Sequence, residues 1–507
     1  MLVKLNDFFT NGLSKEIDLS YLADKSEQDL ARRNIQEWLY NYYQGGKFEI
    51  TEYLKQNIIK VLGREIVDDD EWLYDWINIT KKMIDRQSVI YLDTPIRYFL
   101  SESELEEAPK TEYFESILPV NQNSIDKKAH RFAKLFNTSL TQVYFDKNSG
   151  KIGMRVEPSH KYKLEVDDND PYLITQVSYE KYFKNNEGKD ELYTVVWTKD
   201  AHYKEDKAGV RSPVGDNEDE INPFKNKDGE GVLPFPDLMI TGGEDIWGEG
   251  QSDLVNVNEI VNFLLTFLLN DSIILGSSGT LLAINLGLNQ KGLTEDNIKE
   301  KKVRVGRRHP LQVENVRTDM QTPDLRYVSS EPLIVEIQNA VDYRIKQIAV
   351  LKGLNPNTIL STVKDTSDYQ KMMDALEQIE IRKDDVEPCR IYETKRFEII
   401  KAVNNAAYND LELRSKFNLQ MIDWDEELIV DFVEPKVELT LQEKWMDREK
   451  KLAMNLITPL DILLEDNPDL DEDSAKKILE DNRKMNSINN RPLTRLEQLT
   501  TQGQLNE

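Results

Sequence analysis

Few residues of the kind that do chemistry stand together in this chain. Four histidines, His130, His160, His202 and His309, are widely separated and no cysteine pair accompanies them, so the donor spacing of a zinc site is missing. There is no G-x-x-x-x-G-K-[ST], hence no phosphate-cradling loop and no case for an ATP-driven motor. Asp68-Asp69-Asp70-Glu71 has the donor type of a divalent-cation site, but acids placed just before Trp72 serve equally as favourable charges at a helix N-terminus, and we read them that way. Asp466 to Asp473 alternates acids yet lacks the central glycine and terminal glutamate of an EF-hand loop, which leaves a solvated turn between helices. Cys389 follows Pro388 in a long helical stretch with no histidine near it in sequence, the setting of a packed, inert thiol. Acid pairs of the glycosidase kind carry no specificity among 92 carboxylates. The expectation is a protein with no metal, no cofactor and no enzymatic activity.

Bulk properties narrow the classes further. A length of 507 residues allows two to four domains, and 39% hydrophobic residues allows a packed core. A formal net charge of −27 argues against a protein that grips DNA through a basic face. It does not argue against one that surrounds DNA, because a negative wall repels a negative duplex and weakens adhesion. A single cysteine fits synthesis in a reducing compartment. Met1 to Phe9 has no signal-peptide pattern. The most apolar stretch, Leu254 to Leu275, holds Asn256, Asn258, Glu259, Asn262, Asn270 and Asp271, too many polar groups for an ordinary membrane span. A soluble protein made in the cytoplasm, with no membrane partner, is expected.

The elements that would position any site follow from periodicity. Ala31 to Tyr43 and Trp72 to Met83 have helical spacing, with Gly45-Gly46 ending the first. Ser88 to Tyr91 reads as a short strand before the Asp93-Thr94-Pro95 turn. Val143 to Phe145 and Ile152 to Val156 read as a hairpin around Asn148-Ser149-Gly150, with Tyr172 to Val177 and Leu192 to Trp197 extending a β-rich region. Asp200 to Gly231, charged and rich in Gly, Asp, Asn and Lys, reads as a mobile loop. From Ser252 a helix carries an apolar side (Leu254, Val257, Val261, Leu264, Leu265, Leu268) and an uncharged polar stripe at every fourth residue: Asn258, Asn262, Thr266 and Asn270. After Gly276 to Gly279 comes an insert with Leu281 to Leu288, a basic run (Lys299, Lys301, Lys302, Arg304, Arg307, Arg308) and strand-like Leu325 to Val328. A second helix runs from Pro332 to Gly353, and Asn355-Pro356-Asn357 opens a loop. Helical spacing then persists from Ser367 to about Tyr408, on the order of 60 Å, with a kink expected at Pro388. Leu428 to Phe432 is a strand, Thr440 to Leu456 a helix, Thr458-Pro459 a helix start, and Ser474 to Asn486 the last helix before a polar tail.

This order of features resembles the portal proteins of tailed double-stranded DNA bacteriophages. It rests on the Pro234-Phe235-Pro236 stretch, the Gly248-Glu249-Gly250-Gln251-Ser252 entry, and the helix, insert, helix, loop and long helix that follow. The passage from Asp85 to Pro95, the strands around Gly150 and the segment from Leu456 to Asp473 also look similar. No single motif is diagnostic; their order carries the resemblance.

The resemblance implies an α+β, predominantly helical fold of wing, stem, clip and crown. On it, 1–247 is a wing with a helical start, a β-rich middle and the acidic loop 200–231; 248–277 and 331–354 are stem helices and 278–330 the clip. Residues 355–366 are the channel loop, 367–437 the long kinked helix with the wing's return strand, and 438–507 crown helices with a polar tail. It also implies a homo-oligomeric ring, usually a dodecamer, at the capsid vertex of the virion, assembled in the host cytoplasm and acting in DNA packaging and ejection. The implied partners are the terminase large subunit, head-completion and tail adaptor proteins, the major capsid and scaffolding proteins, and double-stranded DNA held without sequence preference. Asn355, Asn357, Ser361, Thr362 and Lys364 would lie beside DNA as small, mostly uncharged groups. The basic run at 299–308 suits docking of a partner at least as well as DNA. Two rivals remain at this level: a virion or scaffold protein with no channel, and an enzyme acting on nucleic acid.

Overall fold

The computed structural model describes residues 25–62, 72–100, 109–184, 188–214, 219–240, 246–248, 250–277, 280–284, 286–288, 313–315, 324–328, 334–356, 359, 368–432, 448–454, 456–466 and 472–489. The chain forms two units. One comprises Met1–Thr366 with Met373–Pro435, the other Ser367–Met372 with Lys436–Glu507.

The first unit opens with α1 (Lys25–Gln44) and α2 (Lys47–Leu62), separated by Gly45. The expected helix at Trp72 to Met83 is a correction. Residues 72–78 are extended and only Ile79–Gln87 is helical, as α3. Asn78 decides the boundary, its side chain capping the helix by accepting from the Lys81 N–H at 2.8 Å. The expected strand at Ser88 to Tyr91 is a second correction. These four residues are buried in a turn, with the Ser88 N–H on the Ile84 carbonyl and the Leu92 N–H on that of Val89. β1 (Ile96–Phe99) follows, then α4 (Pro109–Ile117) and α5 (Gln122–Phe136).

The predicted hairpin is present. β2 (Thr138–Asp146) and β3 (Lys151–Val156) pair antiparallel around residues 147–150. Gly150 takes a φ of +71° there, and an added Cβ would meet the Phe417 ring at 2.3 Å, so both conformation and space require glycine. A five-stranded sheet is built in sequence order from β4 (Tyr162–Val166), β5 (Ile174–Lys184), β6 (Asp190–Thr198), β7 (His202–Glu205) and β8 (Arg211–Pro213). The expected mobile loop at 200–231 therefore supplies two strands, a third correction. Its return is tied down by Asn222, whose amide donates to the carbonyls of Thr198, Lys199 and Val232. Charge density misled here because one buried asparagine can order a polar segment by supplying its backbone with partners. β9 (Asp237–Met239) then joins the other edge of β2.

α6 (Ser252–Ser277) is followed by two two-stranded antiparallel pairs, β10 (Thr280–Ile284) with β13 (Asp324–Val328) and β11 (Leu286–Leu288) with β12 (Val313–Asn315). α7 (Ile334–Leu351) follows, and α8 (Asp368–Asn409) is helical on both sides of Pro388. α9 (Leu411–Phe417) and β14 (Leu428–Asp431) complete the unit, β14 pairing antiparallel with β1. The largest apolar cluster joins α1, α3, α5, α6 and α7. A second packs β1, α4 and the β2–β3 hairpin on α8.

In the second unit, residues 448–453 are helical and the helix ends there, Met454 and Leu456 being non-helical; 440–447 and 455 of the expected Thr440 to Leu456 helix lie outside the described residues. α10 (Pro459–Asp466) starts where expected. Thr458 and Asp461 cap each other, the Thr458 N–H on the Asp461 carboxylate at 2.7 Å and the Asp461 N–H on the Thr458 hydroxyl at 3.2 Å. α11 (Glu472–Asn489) matches the expected last helix.

Candidate channel helices and loop

The polar stripe of α6 forms as its spacing requires, but it faces the protein. Asn258, Asn262 and Thr266 are 0% exposed and Asn270 is 6% exposed. Their side-chain oxygens accept from the N–H groups of Ile79 (3.1 Å), Ile77 (2.9 Å), Asp75 (3.3 Å) and Leu73 (3.1 Å) respectively. The match is metric. Four helical residues rise ~6 Å and two extended residues advance ~6.6 Å, so every fourth side chain of α6 meets every second amide of the strap at 72–78. Thr266 and Asn270 also donate to the carbonyls of Asp75 and Leu73. The uncharged stripe is thus closed by the strap, because an extended backbone needs partners for its N–H groups and this stripe supplies them. Ser252–Asn270 is long and apolar enough to cross a membrane by length and composition, yet its polar residues are engaged within the protein.

Next to the stripe, Glu259, Phe263 and Phe267 face α2. Phe263 packs with Ile50, Leu54 and Ile58, and Trp72, Tyr74 and Trp76 of the strap close the same cluster. Glu259 is the charged-type residue of this face. Its Oε1 accepts from the Tyr42 hydroxyl at 3.0 Å and the Asn57 amide at 2.9 Å. Burial pushes its carboxyl up to about 7, against the opposing pull of those two donors and of Lys60.

The exit of α7 is held from two sides. Lys352 pairs with Asp253 at the start of α6 at 2.7 Å, and Gln87 of α3 donates to the Lys352 carbonyl at 3.0 Å. Gly353, at φ +69°, turns the chain, and the Leu354 N–H returns to the Ala349 carbonyl at 2.8 Å. Leu354 and Ile359 are both buried, and Lys82 of α3 donates to the Ile359 carbonyl at 2.5 Å. The loop that begins here therefore has its base anchored at 352–354 and at 359. Asn355 is half-buried; Asn357, Ser361, Thr362 and Lys364 lie outside the described residues. So do all six basic residues of the insert, Lys299, Lys301, Lys302, Arg304, Arg307 and Arg308. Val335, Tyr343 and Val350 are exposed on α7 at spacings of eight and seven, which places them on one face.

Sequence reading missed the buried charges of α8. Arg97 of β1 pairs with Asp126 of α5 at 2.8 Å and Glu393 of α8 at 2.9 Å, while Arg396 bonds both carboxylates. Tyr91 donates to Glu393 at 3.1 Å. Burial pushes the Glu393 carboxyl up, but Arg396 and Arg97 outweigh it and hold it at about 2. About two helical turns away, Asp385 takes Lys134 at 2.6 Å and His130 at 3.1 Å. Burial lowers the His130 pKa and raises that of the enclosed Cys389 thiol, which fits the inert role expected of the latter. The signal was present as polar residues at 385, 393 and 396, eight and three apart and so on one side of the helix. Among the described residues no group of three or more His, Cys, Asp and Glu could hold a metal ion.

No protein-family model matches the chain, and no curated protein matches it. Among solved structures, it is similar to a chain from the neck of an empty gene transfer agent (GTA) particle, at 10% identity and a TM-score of 0.36, over 75% of this chain and 90% of that one. A chain from the virion of a native GTA particle gives 10%, 0.32, 74% and 84%. An HK97 family phage portal protein from Corynebacterium diphtheriae gives 10%, 0.27, 69% and 91%.

Proposed function

We propose that this chain is the portal subunit of a tailed phage or a related particle, one copy in a ring through which DNA enters and leaves the capsid. The observation that carries the reading is the run from α6 to α8: a long apolar helix, an insert of two short β pairs, a returning helix, a loop with a fixed base, and a 42-residue helix. α6 and α7 would be the stem, 278–330 the clip, 355–366 the channel loop, and 438–507 the crown. The apolar row Val335, Tyr343 and Val350 is unpartnered in one copy and suits packing against a neighbouring subunit. Anchoring the loop at Lys352 and Ile359 lets its tip act beside DNA without disturbing the helices. The insert would dock the terminase and later the tail adaptor, its basic run meeting an acidic partner surface.

Negative-stain imaging of purified protein at micromolar concentration tests the ring, with closed rings holding a central hole of roughly 20 Å or more expected, since duplex DNA must pass. Monomers and dimers alone would sink the reading. Lys364→Glu, or deletion of 361–364, which spares the Ile359 anchor, should leave rings intact while impairing DNA packaging or retention. Failure of ring assembly in those variants would show that the loop has been misassigned.

A further inference from the structure

Glu259 is 2% exposed, and among the described residues no ion pair compensates it. Both donors that reach it end on Oε1, and Oε2 is buried with no partner. Leaving that oxygen bare costs an anion more than a neutral acid, whose O–H lacks an acceptor there but carries no charge to desolvate. The groups facing it are Tyr42 from α1 and Tyr53, Asn57 and Lys60 from α2, with Glu37 and Glu49 beyond Tyr53. Burial raises the pKa of both tyrosines, so they remain neutral. Lys60 is exposed and attracts Glu259 from a distance without a hydrogen bond to it. On α6 itself the flanking polar side chains are the uncharged Asn258 and Asn262, and the rest of the contact with α2 is apolar. A buried anion here would have no countercharge within bonding reach among the described residues.

We propose that Glu259 is a proton-binding site that keeps α1 and α2 docked on α6, and that losing its proton loosens α2. A glutamine would accept the same two hydrogen bonds, so what the carboxyl adds is the proton. The inference is independent of the portal reading. Because the folded group binds its proton more tightly than an exposed glutamate, docking is firmest below about pH 4.5 and weakens as pH rises toward 7. Above that, docked and undocked forms are both ionised and the effect levels off.

Hydrogen-exchange mass spectrometry on the full chain, at about pH 5, 6, 7 and 8 with times scaled for intrinsic exchange, reads the opening of α2. The expected result is an opening constant that rises by up to about tenfold per pH unit between 5 and 7 and then levels off, and that is flat in Glu259→Gln. A flat wild type, or a glutamine variant that keeps the slope, would overturn the proposal. If Glu259→Gln does not fold, Tyr42→Phe decides. The anion then loses a donor, so the levelling point must move to higher pH, and an unmoved point overturns the proposal.

Discussion

α6 and α8 each bury a line of polar side chains, and they do so by opposite means. On α8 the line is ionic: Asp385, Glu393 and Arg396 meet Lys134, Arg97 and Asp126, so that opposite charges answer one another in a dry interior. On α6 it is neutral, and Asn258, Asn262, Thr266 and Asn270 hold backbone amides of a strap. An ionic line is unforgiving. Removing one member leaves an opposite charge uncompensated where water cannot reach it. A neutral line is graded, because each bond contributes a modest amount and the loss of one leaves its neighbours in place. The comparison suggests a rigid long helix beside a helix whose attachments are separable.

The largest effect should come from breaking the ionic line. Arg396→Met keeps the bulk but leaves Asp126 and Glu393 sharing Arg97 alone. Denaturant unfolding should show a loss of about 3–5 kcal/mol. A loss below about 1 kcal/mol would mean that Arg97 and the carboxylates rearrange freely, and the contrast with α6 would disappear.

A smaller effect should come from Glu259, the one acid buried within the neutral region among the described residues. Its folded value of about 7 against an ordinary 4.5 corresponds to about 3 kcal/mol of stability present below pH 4.5 and lost by pH 7. Thermal melts across that range should fall more steeply for the wild type than for Glu259→Gln. Parallel curves would mean that the carboxyl is solvated and that α6 has no titrating element.

How far this was legible in sequence depends on the kind of signal. Helical spacing in α6, α7 and α8, and the β2–β3 hairpin with its glycine, follow from local periodicity and turn chemistry, which need no knowledge of neighbours. The stripe at 258, 262, 266 and 270 was legible as a stripe, but its partner was hidden. Trp72, Tyr74 and Trp76 alternate at the period of an extended chain, yet Trp72, Leu73, Trp76 and Ile77 also satisfy a helix, and only the amide-bearing face of α6 breaks the tie. Arg97, Asp126 and Glu393 are hundreds of residues apart at the extreme, and a charge reads as solvated until its countercharge is placed beside it. The loop base was readable from Gly353; its anchors Lys82 and Gln87 were not, being more than 260 residues away.

The finest test distinguishes a neutral line from a charged one at a single position. Asn262 accepts from the Ile77 N–H, while its Nδ2 has no partner. Asn262→Ala removes one bond and should cost about 1–2 kcal/mol, with faster exchange confined to the strap. Asn262→Asp keeps the acceptor and removes only an amide group that was bonding nothing. If buried hydrogen bonds alone mattered there, it would match the wild type. If the line must be neutral, the aspartate is worse than alanine at pH 7 and recovers as acid protonates it, because a lone carboxylate in that setting has no cation to meet. Denaturant melts of both variants at about pH 5 and 7 separate the two outcomes. An aspartate as stable as the wild type at pH 7 would show that water reaches the strap, and that the neutrality of α6 is incidental.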